Sequence, residues 1–175
     1  MFILYAIPIG ILVGYLLGGR LDRLGDMRFR WGWLAIAGLI AQVLLFSPPA
    51  ADMVGAAGPP LYVASTAAVF VAVVRNWRIP GLALVALGAA SNLAAIAANG
   101  GIMPASPDAV AVLATEGPGF SNSVVVADPA LQLLTDIFAL PGWVPFANVF
   151  SVGDVLIGVG VAVVIALGMR RAIRS

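Results

Sequence analysis

Long apolar runs that are almost free of charge dominate this sequence and restrict what it can fold into. The runs cover residues 2–18, 31–47, 61–75, 79–98 and 152–169. A helix that crosses a bilayer needs roughly 20 mostly apolar residues, because each residue rises about 1.5 Å through about 30 Å of hydrocarbon. The chain is 62% hydrophobic and 10% charged, whereas soluble domains are nearly half apolar and about a quarter charged. We therefore predict one all-α domain over residues 1–175, an integral membrane bundle of five transmembrane helices.

The arginines predict how this bundle lies in the membrane. All nine fall within residues 19–30, 75–78 and 170–175, and none falls within residues 48–60 or 99–151. Because cytoplasmic loops are enriched in basic residues, the partition predicts a multi-pass protein of the cell membrane with its N-terminus outside and its C-terminus in the cytoplasm. Residues 99–151 then form a long, partly helical extracytoplasmic connection before the last span. A second interpretation of the arginines is contact with anionic lipids.

Three reactive residue types are missing, which excludes several kinds of chemistry. The chain has no His, no Cys and no Lys, so it has no imidazole base, thiolate nucleophile, Cys/His zinc site or Schiff-base lysine. Its remaining acid–base groups are eight carboxylates and three tyrosines. The sequence predicts no metal site and identifies no cofactor.

Glycines in the first apolar run predict close helix packing. Gly10, Gly14 and Gly18 are spaced by four residues, so they line one face of a helix, where another backbone can approach closely. We expect this face to pack within the bundle, with a dimer interface as the alternative.

The long connection carries local signals of its own. Ser106 is a typical N-cap and Pro follows it, which predicts a short helix over residues 107–115. Residues 120–127 are compatible with an extended segment. The Asp-Pro pair that opens residues 128–140 predicts a second short helix, which would lie flat at the membrane interface or pack as a cap on the bundle.

Two aspartates flank the entrance to the last span, and two interpretations stay open for them. In the first, Asp136 and Asp154 form a catalytic carboxylate pair at the outer face, with burial keeping one protonated and the other ionised. In the second, Ser151-x-x-Asp154 is a capping box, in which Ser151 caps the last helix and the helix dipole favours Asp154. Asp136 is then a solvated carboxylate at the interface.

Polar side chains on other segments complete the candidate site. Asn92 and Asn99 are one heptad apart and share a helix face, and Asn148 precedes the last span. We expect Asn92, Asn99, Asn148 and Ser151 to bind a ligand in one polar pocket together with the two aspartates. The alternative is that the amides satisfy broken backbone near helix ends.

Several motifs resemble those of a known family. They are Asn99-Gly-Gly-Ile-Met-Pro104, Asp136-Ile-Phe with its following prolines, Asn148-Val-Phe-Ser-Val-Gly-Asp154-Val-Leu-Ile157 and Gly18-Gly-Arg-Leu21. The family is an uncharacterised bacterial group of small polytopic membrane proteins, classed only as a domain of unknown function. The resemblance covers most of the chain. It supports the architecture and implies no activity.

A local pattern is similar to lipoprotein signal peptidase, an aspartic membrane peptidase. The last span of that family opens with Phe-Asn-x-Ala-Asp, and its first catalytic aspartate lies upstream. Phe150 to Asp154, with Asp136, look like this arrangement, and the likeness implies catalytic roles for both aspartates. In this chain Ser151 replaces the asparagine, and the spans that the family has between its Asn-x-Gly motif and its first aspartate are missing.

These observations lead to two functional expectations. The first is a non-catalytic membrane module, either a binding component or a subunit of a larger assembly, with a polar site on its outer face. The alternative is a membrane-embedded aspartic-type hydrolase that uses Asp136 and Asp154. The lipid bilayer is the predicted partner, joined by another membrane protein or a second copy of the chain, and no nucleic acid is expected.

Overall fold

The computed structural model describes residues 2–47, 53–114 and 123–170, and it is mostly helical. The α-helices in these segments are α1 (Ala6–Leu16), α2 (Gly32–Leu45), α3 (Gly58–Arg75), α4 (Leu82–Ala98), α5 (Pro107–Ala114) and α6 (Val152–Gly168). Short 3-10 helices cover Phe2–Tyr5, Leu21–Asp26, Gly55–Ala57 and Gln132–Leu134. The prediction of a helical fold is confirmed at this level.

Two small sheets form within the long connection and add strands to the predicted all-α architecture. β1 (Met103–Ala105) pairs in parallel with β2 (Ser123–Val125). β3 (Phe138–Ala139) pairs in antiparallel fashion with β4 (Val149–Phe150). An isolated parallel bridge joins Ala105 to Asp136. The connection is thus a folded unit with its own hydrogen-bond pattern.

The helices pack in an order that differs from their order in the chain. α6 lies between α1 and α4, α4 also packs on α3, and α3 packs on α2. The last helix of the sequence is therefore central to the bundle, and α1 and α2 lie at its two ends.

Within the part of the chain that the structure describes, one helical stretch meets the length and composition of a membrane span. Gly55–Arg75 has 21 residues and a mean hydropathy of 1.7. Four further apolar helices are shorter, at 10–17 residues: Phe2–Leu16, Gly32–Leu45, Leu82–Ala98 and Val152–Gly168.

Helix boundaries follow capping chemistry, and some differ from the sequence prediction. The third apolar run begins its α-helix at Gly58 rather than at Leu61, because the two prolines that follow Gly58 fit the first helical turn, where no amide hydrogen is needed. The fourth begins at Leu82, since Gly81 adopts a left-handed conformation with a φ of 96°. In both helices the start is shifted by Pro or Gly residues, whose effect on a helix depends on their position in its first turn.

Of the two short helices predicted in the connection, the first forms and the second does not. Ser106 caps α5, with its Oγ accepting a hydrogen bond of 3.1 Å from the amide of Ala109. No α-helix forms in residues 128–140, because Leu131 has a φ of 54° and only a 3-10 turn follows before the chain becomes extended. Residues 115–122, which include part of the predicted extended segment, lie outside the described residues.

On α1, α2 and α6 the buried residues are small, and large apolar side chains are exposed. Every buried residue of α1 and α6 is a glycine or an alanine. On α2 the buried residue is Gly38, while Trp33 and Val43 are 70% and 71% exposed. Small residues thus mediate the contacts of α1, α2 and α6, whereas α3 and α4 also bury larger side chains such as Tyr62, Val85 and Ile96.

The glycine face of α1 packs on α6, as predicted, but not along its whole length. A Cβ on Gly10 would lie 2.9 Å from the carbonyl oxygen of Ala162, and one on Gly14 would lie 3.3 Å from the Cα of Ala166. Gly18 faces open space and has a φ of 75°. Its role is therefore the turn after α1, and the prediction that it packs is wrong.

A second glycine contact, between α4 and α6, is closer still. A Cβ on Gly160 would lie 2.7 Å from the carbonyl oxygen of Gly81, and one on Gly153 would lie 2.8 Å from that of Gly88. Each helix contributes two glycines seven residues apart, in antiparallel register. This contact brings the end of α4 against the beginning of α6.

Candidate functional site

The N-terminus of α6 is closed by a reciprocal pair of hydrogen bonds. Ser151 is fully buried, and its Oγ accepts from the amide of Asp154 at 3.0 Å. In return, Asp154 Oδ2 accepts from the amide of Ser151 at 3.1 Å. The predicted capping box is therefore confirmed, and its carboxylate lies where the helix dipole favours a negative charge.

Asn92 extends this box across the helix interface. Its Nδ2 donates to Asp154 Oδ1 at 2.8 Å, and its Oδ1 accepts from Ser151 Oγ at 2.8 Å. Asn92 reaches both partners because Gly153 has no side chain, since a Cβ there would lie 2.7 Å from Asn92 Cγ. Asn92, Ser151 and Asp154 thus form a network, which we call the capping network, in which both carboxylate oxygens are used.

Asp136 lies in a separate buried site in the connection. Its side chain is 4% exposed, and its Oδ2 accepts a hydrogen bond from Ser123 Oγ. Its backbone is held on both sides, because its amide donates to Pro104 O and its carbonyl accepts from the Ser106 amide, each at 3.0 Å. Its Oδ1 is buried and has no hydrogen-bond partner among the described residues.

Burial sets the acidity of Asp136. It raises the pKa of this carboxyl from 3.8 to about 7, while the hydrogen bond from Ser123 opposes the shift and the negative charge of Asp154 adds to it. No arginine lies within the connection to offset the free-energy cost of burying the ionised carboxylate. Asp136 can therefore bind and release a proton near neutral pH.

The two carboxyl groups are not joined by a hydrogen bond in the described part of the chain. Asp154 accepts from Asn92 and Ser151, and Asp136 accepts from Ser123. A proton-sharing dyad needs carboxyl oxygens at hydrogen-bonding distance from each other. In this conformation each carboxyl is instead held by neutral donors of its own.

Asn99 and Asn148 are placed elsewhere, so the predicted convergence of six residues on one pocket is wrong. Asn99 Nδ2 donates to Ala95 O at 2.8 Å and to Ala130 O at 2.9 Å, and its Oδ1 accepts from the Ala130 amide at 2.9 Å. Asn148 Oδ1 accepts from the amide of Phe2 at 2.8 Å. Each amide pairs with the nearest exposed backbone groups, which fixes the connection to α4 and to the N-terminal segment.

A shallow, open pocket among the described residues is apolar and adjoins the C-terminal end of α4. It has a volume of about 410 Å³ and is lined by Pro59, Pro60, Val63, Ala64, Ala97, Gly100 and Gly101. None of the predicted site residues lines it. The described residues also contain no cluster of three or more potential carboxylate, His or Cys metal ligands.

Sequence reasoning missed two groups at the site. Ser123 is the hydrogen-bond donor to Asp136, and Ser91 Oγ, next to Asn92, is buried without a partner in the described residues. The glycines spaced by seven in α4 and α6 were a signal for the contact that brings Asn92 to α6. Nothing local marks Ser123, because its contact depends on the pairing of β1 with β2.

Residues 26–166 match a family model described as a family of unknown function, DUF5317. The chain belongs to the DUF5317 family. No curated protein and no solved structure matches it. The DUF5317 match includes α2 to α6 and the connection, and so contains the capping network and Asp136, whereas α1 lies outside it.

Proposed function

We propose that this DUF5317 protein is a multi-pass membrane protein with five spans, its N-terminus outside and its C-terminus in the cytoplasm. It acts as a non-catalytic binding component or as a subunit of a membrane assembly. Its polar site lies on the outer face and is formed by the capping network, with Asp136 beneath the connection.

The surface of the bundle supports the membrane location. Large apolar side chains cover the outside of helices whose buried residues are glycine and alanine, an arrangement that water disfavours and hydrocarbon tolerates. Helices of 14–17 residues are about 21–26 Å long, somewhat less than the hydrocarbon thickness. Flanking 3-10 turns and interfacial Trp and Arg side chains can span the remaining hydrocarbon thickness.

The hydrogen bonds of Asp154 support a non-catalytic role. Both of its oxygens are engaged, one by Asn92 and one by the amide of Ser151. One oxygen thus caps the N-terminus of α6, and the other accepts from α4. The structural role of Asp154, which secures the central helix and joins it to α4, accounts for its position without a reaction.

One observation favours the alternative, an aspartic-type hydrolase. The pKa of Asp136 is raised to about 7 by burial, with a contribution from the charge of Asp154, and buried carboxyl groups with a raised pKa are typical of acid–base catalysts. The likeness of Phe150 to Asp154 to lipoprotein signal peptidase points the same way.

Single-cysteine labelling tests the topology. The chain has no cysteine, so Val124→Cys and Asp26→Cys each create a unique thiol at an exposed position. A membrane-impermeant maleimide should label Val124→Cys in intact cells, and it should label Asp26→Cys only after permeabilisation. Labelling of Asp26→Cys in intact cells would overturn the orientation, and release of the protein from membranes by alkaline carbonate would overturn the membrane location.

Complementation of a deletion strain separates the two functional candidates. If Asp154 is structural, Asp154→Asn should retain function in proportion to the amount of folded protein. A hydrolase predicts that Asp136→Asn and Asp154→Asn each abolish function at normal protein levels, with the double variant no worse than either, because residues that act as one catalytic unit are not additive. That second pattern would replace our proposal with the hydrolase.

A further inference from the structure

The arginines of the described residues gather at one end of the bundle. This end comprises the end of α1 with its following 3-10 turn, the start of α2, the end of α3, the start of α4 and the end of α6. It holds Arg20, Arg23, Arg28, Arg30, Arg75, Arg78 and Arg170, against two aspartates, Asp22 and Asp26. Hydrogen bonds connect these segments, as in the 2.8 Å bond from Arg23 Nη1 to Arg170 O.

Asn76 fixes the geometry of this end. Its side chain is 6% exposed and holds both backbone groups of Arg30, accepting from the amide at 2.8 Å and donating to the carbonyl at 2.7 Å. It also donates to Ala72 O at 2.8 Å. The turn that it holds places Trp31 in a left-handed conformation, with a φ of 58°. A strained non-glycine residue of this kind persists only where the surroundings hold it in place.

Two tryptophans stand beside the arginines around this turn. The guanidinium of Arg75 lies 5.9 Å from the ring centroid of Trp31, and that of Arg78 lies 5.9 Å from that of Trp77. Both rings are about half exposed or more, at 49% and 60%. The rings therefore combine a cation–π contact on the protein with a surface that is open to the surroundings.

The arginines around Asn76 lack acidic partners. Arg20 with Asp22 is the ion pair found in the described residues. Arg28, Arg30, Arg75 and Arg78 are all exposed and make neither an ion pair nor a side-chain hydrogen bond there. The two segments that carry these four arginines are joined through Asn76 and through the contact of Arg75 with Trp31, and the four arginines form no ion pair among the described residues.

We propose that Arg28, Arg30, Arg75 and Arg78, together with Trp31 and Trp77, form a binding site for the phosphate headgroup of an anionic phospholipid. We call these six residues the basic cluster. The inference rests on the proposed membrane location, and it adds a specific lipid partner to it.

Charge and position favour a lipid over a free anion. Guanidinium groups bind phosphate oxygens with paired hydrogen bonds, and tryptophan is enriched where headgroups meet hydrocarbon. The cluster also adjoins the exposed apolar surface of α2, where Trp33 and Ile36 are 70% and 59% exposed. A phospholipid can contact all of these elements, with its phosphate on the arginines and its acyl chains along α2.

Titration of lipid into the purified full-length protein in neutral detergent tests the site. The melting temperature should rise in a saturable manner with phosphatidylglycerol and remain unchanged with phosphatidylcholine. Replacement of all four cluster arginines by Gln should raise the half-saturating concentration of phosphatidylglycerol by about tenfold or more, because the charge attraction is lost. The matched control is Arg20→Gln with Arg23→Gln, which removes arginines from the same end and should change that concentration less than about twofold.

Further measurements distinguish the lipid site from its alternatives. Asn76→Ala leaves every arginine in place but frees the turn, and it should weaken the response to phosphatidylglycerol while a folded far-UV circular dichroism spectrum is retained. Equal stabilisation by inorganic phosphate would show that the site takes a free anion and would overturn the lipid proposal. Equal responses to both lipids, or equal losses in the cluster and control variants, would also overturn it. If one of these results is obtained but the protein resists extraction by alkaline carbonate, the lipid-site proposal fails and the membrane proposal does not. The two proposals can therefore fail separately.

Discussion

The two ends of the bundle hold their charged residues in different ways. Where α4 ends and α6 begins, Asp136 is buried, Asp154 is half-buried, and neutral donors hold both. At the opposite end, seven arginines lie at or near helix ends, six of them exposed, and a single ion pair, Arg20 with Asp22, forms among the described residues. The carboxylate-bearing end is therefore part of the fold, whereas the arginine-bearing end presents charge to its surroundings.

This difference shows where each kind of charge can act. Loss of a polar group at the carboxylate-bearing end leaves buried partners unsatisfied, which costs stability. Loss of an exposed arginine costs little stability, because solvent replaces its contacts. Changes at the first end should therefore lower stability, whereas changes of exposed side chains at the second should lower it little.

The largest effect is expected from a glycine at the carboxylate-bearing end. Gly153→Leu should prevent the bundle from folding, because even a Cβ there would lie 2.7 Å from Asn92 Cγ and 2.8 Å from Gly88 O. The matched change at the other end is Gly25→Leu, whose Cβ would have open space. Size-exclusion elution and circular dichroism in detergent should show aggregation of the first variant and a native second variant. Equal behaviour of the two would mean that the α4–α6 contact yields to a side chain.

The next effect depends on pH and concerns Asp136. Its pKa is raised from 3.8 to about 7 in the folded protein, so the unfolded chain loses this proton first and stability falls as pH rises from about 4 to about 7. Asp136→Asn should remove that fall and stabilise the protein at pH 8 by up to about 4 kcal/mol, at about 1.36 kcal/mol per pKa unit. A parallel pH profile for wild type and Asp136→Asn would contradict the raised pKa.

A smaller loss is expected from the capping network. Asn92→Ala removes the partner of Ser151 Oγ and of Asp154 Oδ1, and it should cost about 1–3 kcal/mol because these groups stay buried or half-buried. Thermal unfolding followed by circular dichroism measures the loss. Unchanged stability would show that the capping box secures α6 without help from α4.

The smallest effect is expected from the ion pair of the arginine-bearing end. Arg20→Gln should leave the melting temperature unchanged within error, because the two side chains are 69% and 60% exposed and exposed pairs contribute little. A loss comparable to that of Asn92→Ala would remove the contrast between the two ends.

Features encoded locally could be predicted from the sequence. The apolar runs predicted the helices, and the Ser-x-x-Asp spacing at Ser151 predicted the capping box that forms there. Ser106 likewise caps α5 as expected. Such signals depend on contacts within one helical turn, so neighbouring residues are sufficient to specify them.

Features that depend on distant partners could not be predicted in this way. An Asp-Pro pair predicted a helix at residue 128, but Leu131 turns left-handed, and the chain instead becomes extended, with Asp136 bridged to Ala105. Asn99 and Asn148 have the same chemistry as Asn92, yet only Asn92 faces α6. The difference is set by the register of the α4–α6 glycines, which is a property of two helices far apart in sequence.

The central position of α6 has a consequence for how the chain is made. α1 packs mainly on α6, yet a ribosome completes residues 152–168 only after every other helix has emerged. The glycine face of α1 therefore stays uncovered until then, as does the matching face of α4. Both interfaces can therefore form only after residues 152–168 have been synthesised, and α6 brings the two together in one step.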